Sequence, residues 1–64
     1  MELHKAIKKL REDLFLSQTE FGAILKISCS AVCLWEAGKR KPRPKFMKKM
    51  YFLARDNRKS FKFY

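Results

Sequence analysis

The chain has 64 residues, with 16 Lys or Arg against six Asp or Glu, so its formal net charge is +10. This length allows one domain with a small core, and an apolar content of 47% is that of a globular protein rather than a disordered one. No apolar run suits a signal peptide or a membrane span, and two cysteines do not make a disulfide framework, so we expect a reduced cytoplasmic protein. Its positive field favours a polyanionic partner, nucleic acid first and an anionic membrane surface as the alternative.

The first part of the chain predicts two helices. Apolar residues recur at helical spacing over about residues 2–14, which is typical of an amphipathic helix. These positions are Leu3, Ala6, Ile7, Leu10 and Leu14. Ser17 is followed three residues later by Glu20, a capping-box pattern that predicts the start of a second helix from Gln18 to Leu25.

Two more helices are predicted in the second half. Ser28 suits the N-cap of a short third helix over residues 29–37, and Gly38 suits its end. The segment KRKPRP contains two prolines and predicts an extended basic loop. Pro44 suits the first turn of a fourth helix that ends near Arg55, with an apolar stripe along one side. We take residues 1–57 as one domain.

The last seven residues, RKSFKFY (58–64), form a basic aromatic tail with a different pattern. Phe61 and Phe63 alternate with Lys62, which is typical of a strand but too short to stand alone. The aromatic side chains are expected to pack on the domain, to pair with a second chain or to stay loose. We hypothesise that Phe61, Phe63 and Tyr64 contribute to a dimer.

The segment LSQTEFGAILKISCSAVCLWEAGKRKPRP (16–44) contains two short helices joined by a three-residue turn, the arrangement of a helix-turn-helix unit over residues 18–37. It resembles the Cro/CI-type (XRE-like) domain of phage repressors and small bacterial regulators, over about residues 3–55. The matching positions are Leu16, Ser17, Gln18, Phe21, Gly22, Leu25, Ile27, Ser28, Val32, Trp35, Glu36, Gly38, Arg40 and Pro42. Lys26 departs from the pattern, which usually has glycine there.

The resemblance implies an all-α, lambda-repressor-like fold of four to five helices. It also implies a small transcriptional regulator, expected to be a repressor, that binds double-stranded DNA as a dimer on a palindromic operator. The side of the third helix that faces DNA in this family would be Ser28, Cys29, Ser30, Cys33 and Leu34. These side chains are small and weakly polar, so DNA shape or the basic loop would contribute part of the specificity.

The same resemblance implies which residues contact phosphates and which have structural roles. Phosphates would be bound by Gln18 at the start of the second helix and by the loop cations Lys39, Arg40, Lys41 and Arg43. Gly22 would allow a close approach of the second and third helices, Val32 and Trp35 would face the core, and Gly38 would end the third helix. Arg11 and Glu36 occupy positions that form an ion pair in the family.

The two cysteines do not predict a zinc site or an enzyme. Cys29 and Cys33 provide two thiolates, the single histidine His4 is on another helix, and structural zinc takes four ligands. A disulfide within a helix needs a geometry that the helix does not favour. No nucleophile with a supporting base is evident, so we expect no metal, no cofactor and no enzyme.

Two alternative functions stay open at this point. One alternative is an antitoxin, whose DNA-binding domain represses its own operon and whose partner is a toxin protein. In a different class, a basic amphipathic chain of this kind would act on membranes, which its short and separately capped helices do not favour.

Overall fold

The computed structural model describes residues 2–59 and 61, and these residues form four α-helices and no strand. The helices are α1 (Leu3–Asp13), α2 (Gln18–Leu25), α3 (Cys29–Glu36) and α4 (Pro44–Asp56). The predicted all-α class and the predicted helices are confirmed, with bounds that agree within one residue. None of these helices has the length and apolar character needed to cross a membrane.

The predicted N-caps of α2 and α3 are both present. The Ser17 hydroxyl accepts from the Glu20 N–H at 3.1 Å, and the Ser17 N–H donates to the Glu20 carboxylate at 2.9 Å. This backbone hydrogen bond, assisted by the Ser17 side chain, lowers the pKa of Glu20. In α3 the Ser28 hydroxyl accepts from the Ala31 N–H at 3.3 Å. Local sequence therefore determines where both short helices begin.

All four helices end in the same way. After each helix one residue has a left-handed conformation, and the next N–H donates to a carbonyl five residues earlier, with N···O distances from 2.7 to 3.2 Å. The left-handed residues are Phe15, Lys26, Gly38 and Arg58, with φ between 56° and 76°. Only Gly38 is a glycine, so each of the other three ends carries a steric cost of about 1 kcal/mol.

The apolar sides of the helices meet in one core. Its buried members, all at most 4% exposed, are Ala6, Ile7, Leu10, Phe21, Leu25, Val32, Trp35, Met50, Ala54 and Phe61. The stripes predicted on α1 and α4 supply much of this core, which joins the helices into a single packed unit.

Phe61 lies beyond α4 and packs on the domain. Its side chain is 4% exposed, and its ring meets that of Tyr51 edge-on with a centroid separation of 5.1 Å. Phe61 therefore packs on its own domain, which is one of the three arrangements expected for the tail aromatics. Because its ring is buried, it does not offer a surface to a second chain. Phe63 and Tyr64 lie outside the described residues, as does most of the segment in which a strand was considered.

At Gly22 the helix α2 closely approaches the chain that leads into α3. A Cβ atom at this position would lie 2.6 Å from the Ile27 carbonyl oxygen and 3.4 Å from the Ser28 backbone. The predicted close approach is therefore present, but it involves the turn before α3 rather than the body of that helix. The left-handed Lys26 in this turn keeps α2 and α3 close together.

Candidate functional site

The helix α3 has two different sides. Val32 and Trp35 point into the core at 0% and 4% exposure, and the Trp35 ring packs on Phe46 at a centroid separation of 5.5 Å. Trp35 is thus a core residue, as predicted, and does not present a ring for stacking on bases. On the opposite side Cys29 and Cys33 are exposed, and both are free thiols.

The exposed side of α3 forms one wall of an open depression of about 470 Å³. Its lining residues are Gln18, Cys29, Ser30, Cys33 and Leu34. Four of the five residues predicted to contact bases are therefore brought together, with Leu34 half-buried. The fifth, Ser28, lies at the N-cap of α3, where its oxygen accepts from Ala31 and its O–H still has a proton to donate.

Gln18 is held beside α3 by a polar network. Arg11 donates to both carboxylate oxygens of Glu36, from Nε at 2.8 Å and from Nη2 at 3.0 Å, which confirms the predicted ion pair between α1 and α3. Arg11 Nη1 also donates to the Leu16 carbonyl at 2.9 Å, and Gln18 Nε2 donates to Glu36 Oε1 at 3.3 Å. The hydrogen bond with Glu36 raises the pKa of Arg11.

The link between Gln18 and Glu36 was not predicted. The sequence indicates Gln18 only as a phosphate-contacting residue, and no local pattern connects it with a carboxylate on another helix. Because an amide nitrogen has two protons and Glu36 takes one, the other remains for a ligand. Glu36 therefore orients a side chain that borders the exposed face of α3.

A second depression, of about 370 Å³, lies on the other side of α3 and is strongly cationic. It is lined by Ile27, Ala31, Trp35, Arg40, Lys41, Arg43, Lys45 and Phe46. We call it the cationic groove. Three of the four predicted phosphate-contacting cations of the loop lie in it, whereas Lys39 is exposed but does not line it.

Lys45 is the residue of the cationic groove that sequence reasoning did not select. It follows Pro44 in the first turn of α4, and its Nζ lies 5.1 Å from the centre of the Phe46 ring. The signal available was its membership of a run of seven cations without an acid between Gly38 and Lys49. Within residues 2–59 and 61, none of the groove cations forms an ion pair.

Helix α3 contributes residues to both depressions. Ser30 lines the neutral depression and its neighbour Ala31 lines the cationic groove. The same helix therefore borders an uncharged exposed surface and a groove lined by four cations, a combination that suits a ligand with both neutral surface and negative charges. Among the described residues, no group of three or more His, Cys, Asp or Glu side chains is placed to hold a metal ion.

Comparison of this chain with protein-family models, with curated proteins and with solved structures gives no match. No relative therefore supplies a function or a site for it. Its function has to be inferred from α3, the polar network behind it and the cationic groove beside it.

Proposed function

We propose that the protein binds double-stranded DNA sequence-specifically as a small transcriptional regulator. In this proposal α2 and α3 are a helix-turn-helix unit of the Cro/CI type, and α3 lies in the major groove. The observation that carries the proposal is that α3 has an exposed, uncharged face and also borders the cationic groove.

The dimensions and chemistry of α3 suit the major groove. An α-helix with its side chains is about 10–12 Å in diameter, and the major groove of B-DNA, about 12 Å wide, admits it. The Ser28 and Ser30 hydroxyls are suited to hydrogen bonds with base edges or phosphates. Cys29, Cys33 and Leu34 are suited to apolar contact with thymine methyl groups.

The flanking cations would bind the phosphate backbone. Arg40, Lys41, Arg43 and Lys45 surround one groove, so they can contact successive phosphates while α3 contacts bases. Lys39 and Gln18 extend this contact surface on either side of the helix. If six of the seven cations between Gly38 and Lys49 neutralise phosphates, the logarithm of affinity falls against the logarithm of salt concentration with a slope of about −5.

The biological arrangement would be a dimer on a palindromic site in the cytoplasm. Two copies would place their α3 helices in major grooves about 34 Å apart, and occupancy of an operator that overlaps a promoter would exclude polymerase. Since Phe61 is buried within one chain, the dimer contact has to involve other residues. The membrane alternative is not favoured, because the apolar stripes of α1 and α4 face the core.

Selection of bound duplexes from a random DNA pool, repeated at two salt concentrations, tests this function. We expect a palindromic consensus, with half-sites one helical turn apart and affinity that falls steeply with salt. Ser30→Ala should change the base preference, whereas Arg40→Ala should weaken all sequences similarly and reduce the salt slope by about one. Recovery of sequences with no shared motif, bound equally by Ser30→Ala, would contradict the proposal.

A further inference from the structure

We propose that Cys29 and Cys33 form a binding site for one soft, two-coordinate cation of the Cu⁺ or Ag⁺ type. The site lies on the exposed face of α3. Both thiols are free and exposed, and they line the same depression, so an ion in solution can reach both.

The spacing of the two cysteines fits a bridging ion better than a disulfide. Side chains four residues apart on a helix lie on one face, with Cβ atoms about 5–6 Å apart. A disulfide requires Cβ atoms about 3.5–4.5 Å apart, so forming one would distort α3. If each metal–sulfur bond is about as long as a zinc–thiolate bond, about 2.3 Å, a linear sulfur–metal–sulfur bridge spans about 4.6 Å, which matches side chains whose Cβ atoms are about 5–6 Å apart.

The donor set also selects the class of ion. Zinc takes four ligands, and the described part of the chain places no third His, Cys, Asp or Glu beside this pair. A soft cation prefers thiolate sulfur over the oxygen donors of Ser30 and Gln18 that share the depression. Two thiolates are therefore sufficient for a soft cation and insufficient for zinc.

The charge of the bound group suits its position. Binding forms two metal–sulfur bonds and releases both thiol protons to the solvent, with no change in oxidation state. A monovalent cation on two thiolates has a net charge of −1. Cys29 is the first residue of α3, where the helix dipole stabilises negative charge, and the chain as a whole has a formal charge of +10.

A bound ion would cover the side chains that contact bases in the proposed function, and this consequence rests on that function. Both thiols and Ser30 line one depression, so an ion held between the thiols occupies the surface that has to fit the major groove. We therefore expect the ion to act as an inhibitor of DNA binding, with affinity reduced at least ten-fold.

Titration of the reduced full-length protein with Cu⁺ or Ag⁺, in competition with a chelator of known affinity, tests the site without DNA. We expect one ion per chain and a thiolate-to-metal charge-transfer absorption in the ultraviolet. Cys29→Ser or Cys33→Ser should lower the affinity at least 100-fold. Because both side chains are exposed, these variants should keep the helical circular dichroism of the parent protein.

Two control variants test whether the site depends on the two thiols and on their spacing. Ser30→Ala changes the same face without removing a thiol and should bind the ion like the parent. The double variant Cys33→Ser with Ser30→Cys keeps two thiols but places them on adjacent residues, and it should lose the tight site. Parent-like affinity in this double variant or in either single cysteine variant overturns the proposal, as does a stoichiometry of one ion per two chains.

The effect of the ion on DNA binding is measured with the duplex selected for the parent protein. Loss of binding on addition of the ion to the parent, reversed when a chelator removes the ion, supports inhibition. Unchanged DNA affinity of the ion-bound parent overturns inhibition and leaves the ion site standing. Absence of specific DNA binding without the ion counts against the proposed function, and the ion titration is unaffected by it.

Discussion

The inner and outer sides of α3 differ in almost every physical respect. On the inner side Val32 and Trp35 are buried, and Glu36 is fixed by two hydrogen bonds from Arg11. On the outer side Cys29, Ser30 and Cys33 are exposed around an open depression. One helix of eight residues thus combines a side with many structural constraints and a side with few.

Because of this difference, substitutions on the two sides of α3 are expected to affect different properties of the protein. A substitution on the inner side creates a cavity or leaves a charge unpaired, both of which lower the free energy of unfolding. A substitution on the outer side changes neither packing nor a buried hydrogen bond, so the residues there are free to be chosen for a ligand. In the proposed function, the small, uncharged side chains of the outer side are the ones that contact bases.

The largest expected effect is that of Trp35→Ala, which tests the inner side directly. Removal of a buried tryptophan lowers the free energy of unfolding by about 3–5 kcal/mol, much of the stability of a domain this small. Urea denaturation followed by circular dichroism measures it. Cys33→Ser on the outer side is the matched control, with an expected change within about 0.5 kcal/mol. Similar effects of the two substitutions would remove the distinction between the sides.

Glu36→Ala should have the next largest effect, because it leaves the Arg11 guanidinium largely buried without its partner. The side chains of Arg11 and Glu36 are 14% and 6% exposed, so we expect a loss of about 3 kcal/mol in denaturation experiments. Asp13→Ala breaks the pair of Lys9 and Asp13, whose side chains are 57% and 34% exposed, and should change stability by less than about 1 kcal/mol. Equal losses in the two variants would contradict this difference.

Lys26→Gly should raise stability, since it relieves a left-handed backbone in the turn between α2 and α3. We expect a gain of up to about 1 kcal/mol, seen as a higher urea midpoint. Gly38→Ala is the converse test at the end of α3, where φ is 76°, and should lose a similar amount. A destabilised Lys26→Gly variant would show that the lysine side chain contributes more than its backbone conformation costs.

The smallest effect is expected from the pH dependence of the α2 cap, which lies outside both sides of α3. The pKa of Glu20 is lower in the folded state than its ordinary value of 4.5, so its ionised form stabilises the fold. That stabilisation is present above the ordinary pKa and is lost as pH falls through the lowered one. Glu20→Gln should therefore reduce the drop in urea midpoint between about pH 7 and pH 3. An identical drop in parent and variant would exclude this contribution.

The fold was predictable because its signals are local. The capping box of Ser17 and Glu20, the prolines of the loop and the apolar spacing of α1 and α4 each act within a few residues. The left-handed ends at Phe15 and Arg58 were not predicted, because neither residue type favours that conformation and the ends are set by the packing of the helices.

The candidate site was predictable in part. Helical spacing places the outer side chains of α3 on one face, and the basic loop is evident from composition. The bond from Gln18 to Glu36 and the place of Lys45 in the cationic groove depend on how α2, α3 and α4 meet. Such contacts join residues far apart in the chain, and a single sequence contains no local pattern for them.

The burial of Phe61 has a practical consequence for shortened versions of this protein. A chain cut after Asn57 would keep all four helices and still lack an aromatic ring that fills part of the interior next to Tyr51. Loss of a buried phenylalanine typically costs about 3–5 kcal/mol, so such a fragment would be prone to unfolding and self-association for reasons unrelated to any dimer contact. The smallest version suitable for spectroscopy or crystallisation therefore extends at least through residue 61.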